Sequence, residues 1–333
     1  MRGDEALLRR YLEPLRAGLE TADLTDLVIN GPGRFAAEVA GQWRWFDAPD
    51  LTETWLLTLA KAAAAWSAQD VSETRPVCST TLPGGERCQI VLPPAASAPS
   101  LTIRSPARRR FSLEALSAAG MFEPPGREAA QPRSSRDALE ALWRAADWPA
   151  FLRLAVRTRC NLLISGATGA GKTTLAQALI DQIPAHERLI TIEDVRELRI
   201  EQQNRVHLLY AKDGQGLAEV GPKALLESAL RMRPDRILLQ ELRDEAAFFY
   251  LRNVNTGHPG SITTIHADSA QLAFEQLVLL IKESPGGAHL GRGEILALLE
   301  RLIDVVVQLR RDGGQYRLVE VWYGPACRRP LAD

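Results

Sequence analysis

Several things are scarce in this chain of 333 residues. It has four cysteines, Cys78, Cys88, Cys160 and Cys327, and no two of them form a C-x-x-C pair. That spacing excludes a zinc ribbon and offers no disulfide framework. The net charge is −1, so no global basic field points to a nucleic acid partner. Aromatics make up 6%, and Arg108-Arg109-Arg110 is the only run of three basic residues. A single-strand-binding groove needs more basic charge interleaved with rings. No apolar run reaches the roughly 18 residues that span a bilayer. The nearest approach, Leu296–Leu309, is broken by Glu300, Arg301 and Asp304. The N-terminus lacks the apolar core of a signal peptide, and no repeat appears at a period of about 20–50 residues. A reducing cytoplasm is the expected setting.

What is present begins with Gly166-Ala167-Thr168-Gly169-Ala170-Gly171-Lys172-Thr173, which matches G-x-x-x-x-G-K-[ST] at every fixed position. The apolar run Cys160–Ser165 precedes it as a strand, and Thr174–Ile180 follows as a helix. Glycines in such a loop let backbone N–H groups turn inward around a polyphosphate, and the helix N-terminus adds partial positive charge. Lys172 is placed to reach the β- and γ-phosphates, and the Thr173 hydroxyl to ligate Mg²⁺. The loop through Thr174 is the expected ATP cradle.

The chain is long for one domain. Residues 1–105 read as a small α+β domain: helices near Asp4–Leu15 and Thr52–Ser67, a strand at Leu27–Asn30, a hairpin over Arg34–Phe46, and strands within Ser79–Leu92 and Ser100–Arg104. Residues 106–135 carry Pro106, Pro124, Pro125, Pro132, the arginine run and the polar Gln131–Arg136 stretch. They read as a linker with one short helix at Phe111–Ala119. From 136 to 333 strands alternate with helices, at Asn161–Ser165, Leu189–Ile192, Val206–Tyr210, Arg236–Gln240, Ser261–Ile265, Val305–Leu309 and Tyr316–Trp322. That alternation predicts an α/β domain with a mainly parallel sheet and ligands at the carboxyl ends of its strands.

Three clusters stand where a nucleotide hydrolase needs them. Thr191-Ile192-Glu193-Asp194 closes a strand with acids. There a carboxylate orients a water for attack on the γ-phosphate, or else caps the next segment; Glu193 reaches further than Asp194. The strand Arg236–Leu239 runs through Gln240 into Glu241, a Walker B arrangement in which the acid holds Mg²⁺ through water. Asn255–Ala267 carries His258 before a strand and His266 after it. No Cys or carboxylate completes a metal site with them. They are either contacts to a γ-phosphate or a turn and a strand-end histidine bonded to backbone.

In this order the clusters resemble the "Asp box", the Walker B segment and the "His box" of the secretion, or traffic, ATPases. Within that superfamily the chain is similar to the hexameric ATPase of type IV secretion systems, the eleventh component of the VirB type. Ile29–Gly33, Leu82–Pro94 and Leu101–Arg104 resemble the N-terminal domain of that family, so the likeness covers nearly the whole chain. A four-cysteine insert, expected of the type II secretion branch, is missing.

The resemblance implies a homohexameric ring with a tier of N-terminal domains and a tier of RecA-like domains, and nucleotide between the two. It implies ATP and Mg²⁺ as ligands, with Thr173 and Glu241 on the metal. It makes Glu193 the water-activating acid, Glu241 the Walker B acid and His266 the functional histidine, with Arg87 and Arg104 reaching the phosphates when the domains close. Gln240 stands where the family more often has a small residue. The implied partners are other secretion components, including larger ATPases at the bacterial inner membrane, with peripheral membrane contact and no direct nucleic acid binding. A pilus-assembly or type II-like secretion ATPase is the nearest alternative. A RecA-like nucleic acid motor and a nucleotide-binding scaffold without hydrolysis are the rival classes.

Overall fold

A computed structural model describes residues 4–106, 112–122, 133–244, 246–254 and 257–327. The Arg108–Arg110 run and the prolines at 124, 125 and 132 lie outside the described residues, as do Asn255 and Thr256 of the His-box stretch.

The first sheet has six strands: β1 (Leu24–Ile29), β2 (Arg34–Val39), β3 (Gln42–Asp47), β4 (Val77–Thr81), β5 (Arg87–Val91) and β6 (Ser100–Arg104). Their order is β3-β2-β1-β6-β5-β4, and every neighbouring pair is antiparallel. Helix Glu53–Trp66 is capped by the Thr52 hydroxyl, and its Leu56, Leu59, Ala60 and Ala63 are buried. These residues recur at three- and four-residue spacing, which turns one stripe of the helix to the sheet. They join Leu27, Ile29, Phe35, Ile90 and Ile103 in one core.

The second sheet is built from β7 (Leu162–Gly166), β8 (Leu189–Glu193), β9 (Arg205–Leu209), β10 (Arg236–Leu239), β11 (Ile262–Ile265), β12 (Val305–Asp312) and β13 (Gln315–Tyr323). One group runs β10-β8-β9 and the other β11-β7-β12-β13. Every pair in both groups is parallel except β12–β13, which is a hairpin. The two groups meet at a single parallel bridge, Glu241 to Thr264. Side chains reinforce that seam: the Thr264 hydroxyl donates to Gln240 O at 2.9 Å and the Ser261 hydroxyl to Ile237 O at 3.1 Å.

Buried parallel strands are apolar on both faces, and the residues of β7 show why. Leu163 faces one core with Ile190, Ile192, Ile237, Leu239 and Val306. Leu162 and Ile164 face the other with Leu189, Leu238, Val305 and Val307. Helices cover both sides.

Two differences from the sequence reading have local causes. The polar stretch through Arg136 is helical from Arg133 to Arg144. Leu139 is buried there, Leu142 and Trp143 pack beside it, and the Trp143 indole donates to Val321 O at 2.9 Å. Tertiary packing overrides weak local propensity. The expected helix at Phe111–Ala119 is shorter, Leu113–Ala118, and starts where the Ser112 hydroxyl caps it.

The two sheets are joined by polar groups. Arg188 is fully buried, and burial pulls its guanidinium down to about 9. It donates to Asn30 Oδ1 at 2.7 Å and to Met232 O at 2.8 Å. Arg233 donates to both oxygens of Glu38, at 2.9 and 2.5 Å. The Gln89 amide donates to the Ser228 hydroxyl at 2.8 Å. Residues 95–97 run antiparallel beside the edge strand β9, with Leu209 N–H donating to Ala95 O and Ser97 N–H to His207 O. That contact covers a sheet edge that would otherwise be open to pairing.

Candidate active site

The loop 166–173 leaves the carboxyl end of β7 and enters helix Lys172–Ile180. Gly171 caps this helix with a φ of 92°, and Gly169 has a φ of 74°. Residues with a Cβ rarely adopt that region. At Gly166 the constraint is space: a Cβ there would lie 2.7 Å from Leu309 O. Ala167, Thr168 and Gly169 are exposed, as are Thr173 and Thr174, so the cradle opens to solvent.

Lys172 bends back into the loop. Its ammonium donates to Gly166 O at 2.8 Å and Ala167 O at 3.1 Å, and lies 3.2 Å from His266 Nδ1. Burial lowers its proton affinity, partly offset by Glu241 and reinforced by Arg243. His266 Nε2 is in turn 2.8 Å from Glu241 Oε1. Glu241 also pairs with Arg243, whose guanidinium lies 3.7 Å from Asp194. Thus the loop lysine, the strand-end histidine and the Walker B acid form one continuous cluster at the carboxyl edge of the sheet. A cavity of about 530 Å³ opens beside them, lined by Glu241, Arg243, His266 and Lys212.

The donors near this cavity suit Mg²⁺, a hard cation that takes oxygen ligands and few of them from protein. Thr173, exposed at the start of the loop helix, could supply a hydroxyl, and Glu241, which lines the cavity, a carboxylate. No cluster of three His, Cys, Asp or Glu residues among the described residues could hold a metal unaided. A Mg²⁺ here would complete its shell with waters or the oxygens of a bound phosphate.

Glu193 is buried and fully partnered by protein groups. Its side chain is 0% exposed and all its acceptor positions face protein. The Thr191 hydroxyl donates to Oε1 at 2.7 Å, and His207 Nδ1 lies 3.3 Å from the same oxygen. The N–H groups of Glu197 and Leu198 both donate to Oε2 at 2.8 Å. Burial pushes the carboxyl up, but the His207, Leu198, Thr191 and Glu197 contacts together hold it below the usual range. In this geometry Glu193 caps the segment that follows β8, while the partly exposed Asp194 faces Arg243.

Arg87 and Arg104 are not brought to the loop within this chain. They are cross-strand neighbours on β5 and β6. Arg104 donates to Asp26 at 3.0 Å, and Asp26 in turn approaches Arg233, just before β10. Glu241 lies past the other end of β10. Four residues at about 3.3 Å each put roughly 13 Å of strand between the two edges. The arginines instead line a cavity of about 410 Å³ with Arg231, Ser79 and Gln89. His258 belongs to that edge too, lowered by burial and by Arg233, so the two histidines serve different places. Gln240 is accommodated beside Glu241 through its backbone, with N–H donating to Ile192 O.

Sequence pattern marks the side chains of His207, Thr191 and Arg243 only weakly. Each carried a weak signal: a histidine between Val206 and Leu208 in an apolar strand, a threonine two residues before an acid, and an arginine two residues past another.

A loop of this sequence joining a parallel strand to a helix, with acids at the neighbouring strand ends, defines a P-loop nucleotide-binding site. The family described as Type II/IV secretion system protein matches residues 127–311. The type IV secretion system protein VirB11 of Bartonella quintana is 48% identical over 98% of this chain and 95% of its own length. The type IV secretion system protein PtlH of Bordetella pertussis is 42% identical over 96% of each chain. The crystal structure of the VirB11 ATPase from the Brucella suis type IV secretion system superposes with a TM-score of 0.91 at 40% identity, covering 97% of this chain and 96% of that one. This chain belongs to the type II/IV secretion system family and, within it, to the VirB11 ATPases.

Proposed function

We propose that this chain hydrolyses ATP, with Mg²⁺, to drive a type IV secretion system. The observation that carries the reading is the Lys172–His266–Glu241 cluster at the mouth of the phosphate loop. The loop N–H groups and Lys172 hold the β- and γ-phosphates. Thr173 and Glu241 would hold the Mg²⁺, which would supply charge neutralisation on the transferring group. His266 contacts the γ-phosphate and changes partners when it leaves.

Glu193 is proposed as the acid that orients the attacking water. In that role it must surrender the Glu197 and Leu198 N–H contacts, so segment 194–198 moves when the acid turns to the phosphate. Purified chain is assayed for phosphate release with Lys172→Ala, Glu193→Gln and Asp194→Asn variants. Wild-type turnover in Lys172→Ala sinks the site. Loss in Asp194→Asn with retention in Glu193→Gln transfers the role to Asp194.

The proposed assembly is a homohexameric ring of N-terminal domains (1–105) and ATPase domains (136–333), joined by 106–135. Arg87 and Arg104 sit at the sheet edge opposite their own loop, which supports a role on the nucleotide of a neighbouring copy. Mixing Arg104→Ala with Lys172→Ala chains tests this: recovery of turnover beyond that of either variant alone supports an intersubunit site, and no recovery opposes it. No described helix is long and apolar enough to cross a membrane. Peripheral contact with the inner membrane, beside partner ATPases of the secretion system, is the proposed location.

A further inference from the structure

The hairpin β12–β13 extends beyond the sheet at the phosphate loop. Strand β12 pairs with β7 as far as Leu309 opposite Gly166, the first residue of the loop. Beyond that register, residues 310–312 and 315–317 continue as a two-stranded arm, closed by Gly313 and Gly314 at positive φ. The arm therefore passes beside the loop.

It carries an aromatic ring onto the loop. A Cβ built at Gly171 would lie 3.0 Å from both Cγ and Cδ1 of Tyr316. Tyr316 is nonetheless 59% exposed, so most of the ring is open. No ring-to-ring contact among the described residues involves it. Arg311 is its direct cross-strand partner, which puts both side chains on one face of the arm. Arg311 is exposed and has no ion pair among the described residues.

The strand order decides what meets this face. The γ-phosphate end of a bound nucleotide is fixed by Glu241 and His266, which lie on the β10–β11 side of β7. The β-phosphate lies over the N–H groups near Gly171 and Lys172. The nucleoside end must then leave the loop on the other side of β7, the side of β12 and β13. Tyr316 stands there.

We propose that Tyr316 is the nucleobase platform of this ATPase: the base stacks on its open face, with Arg311 beside it on the same side. The inference rests on the ATP-binding reading above. Stacking of a base on an aromatic side chain is sequence-tolerant, because every base offers a π-face. The ring therefore adds affinity for a nucleotide over a bare polyphosphate.

The test compares two ligands on the full chain in Mg²⁺ buffer: a non-hydrolysable ATP analogue and inorganic tripolyphosphate. In Tyr316→Ala the analogue weakens by about tenfold, as loss of one base–ring contact predicts, while tripolyphosphate affinity stays within about twofold. Tyr316→Phe, which keeps the ring, restores the analogue affinity. Equal weakening of both ligands overturns the proposal, because the ring would then be bracing the loop. No weakening of either also overturns it. Failure of the unmodified chain to bind the analogue overturns the ATPase reading itself, and is distinguished by being visible before any substitution.

Discussion

The ammonium of Lys172 lies 3.2 Å from Nδ1 of His266, whose Nε2 lies 2.8 Å from Glu241 Oε1. One imidazole thus links the loop ammonium to the carboxylate at the end of β10. Neither contact is local in sequence. It forms because β11 lies beside β7 in parallel register, with Ile265 opposite Ser165.

Lys172→Ala removes the loop's only cation and the partner of His266 Nδ1. Turnover is expected to fall by about a hundredfold or more, in line with the loss of preorganised charge at a phosphoryl site. Phosphate release and nucleotide titration on the same preparation check it.

His266→Ala separates the lysine from the acid but leaves the cradle intact. Its expected effect is a fall in kcat of about ten- to hundredfold with a nucleotide Kd within a few-fold of the parent. A Kd that rises as steeply as kcat falls would instead make His266 a ground-state contact.

Glu193 is held below the usual carboxylate range, so it stabilises the fold at neutral pH. For a depressed carboxyl the contribution is full above the unfolded-state value, about 4.3, and disappears as pH falls through the folded-state value. Glu193→Gln removes this contribution. Thermal unfolding from pH 3 to 7 should show a shallower acid limb for the variant than for the parent.

Much of this site was legible in the sequence, and the reason is physical. Leu162-Leu163-Ile164 and Ile237-Leu238-Leu239 read as strands because a parallel strand buried on both faces is continuously apolar. The phosphate loop carries its conformation in its own glycines. The burial of Glu193 was not legible, since it depends on His207 from the adjacent strand and on two N–H groups further along the chain. The placement of Arg87 and Arg104 depends on how one sheet docks on the other, set by Arg188, Asn30, Glu38 and Arg233. Local pattern carries no information about such contacts.

Glu38→Ala tests that docking. Glu38 is 3% exposed and takes two donors from Arg233. Its removal is expected to cost about 1.5–3 kcal/mol, the range for hydrogen bonds to charged groups. Denaturant unfolding measures it. A change confined to the residues of the first sheet in hydrogen exchange would mean that the two sheets unfold separately.

The seam between β10 and β11 has a mechanical consequence. Elsewhere the large sheet is laced by continuous ladders; along that line a single backbone bridge is supplemented by side chains, the hydroxyls of Thr264 and Ser261 and the Arg236 guanidinium on Gly260 O. The plate has a compliant joint. Lys172 and His266 ride on one leaf, Glu193 rides on the other, and Glu241 sits on the joint itself. In the proposed mechanism a triphosphate gripped by both leaves would act as a splint across it. Cutting the terminal phosphate would then remove the splint at the joint, and the release would be felt first in the sheet, before any outer element has to carry it.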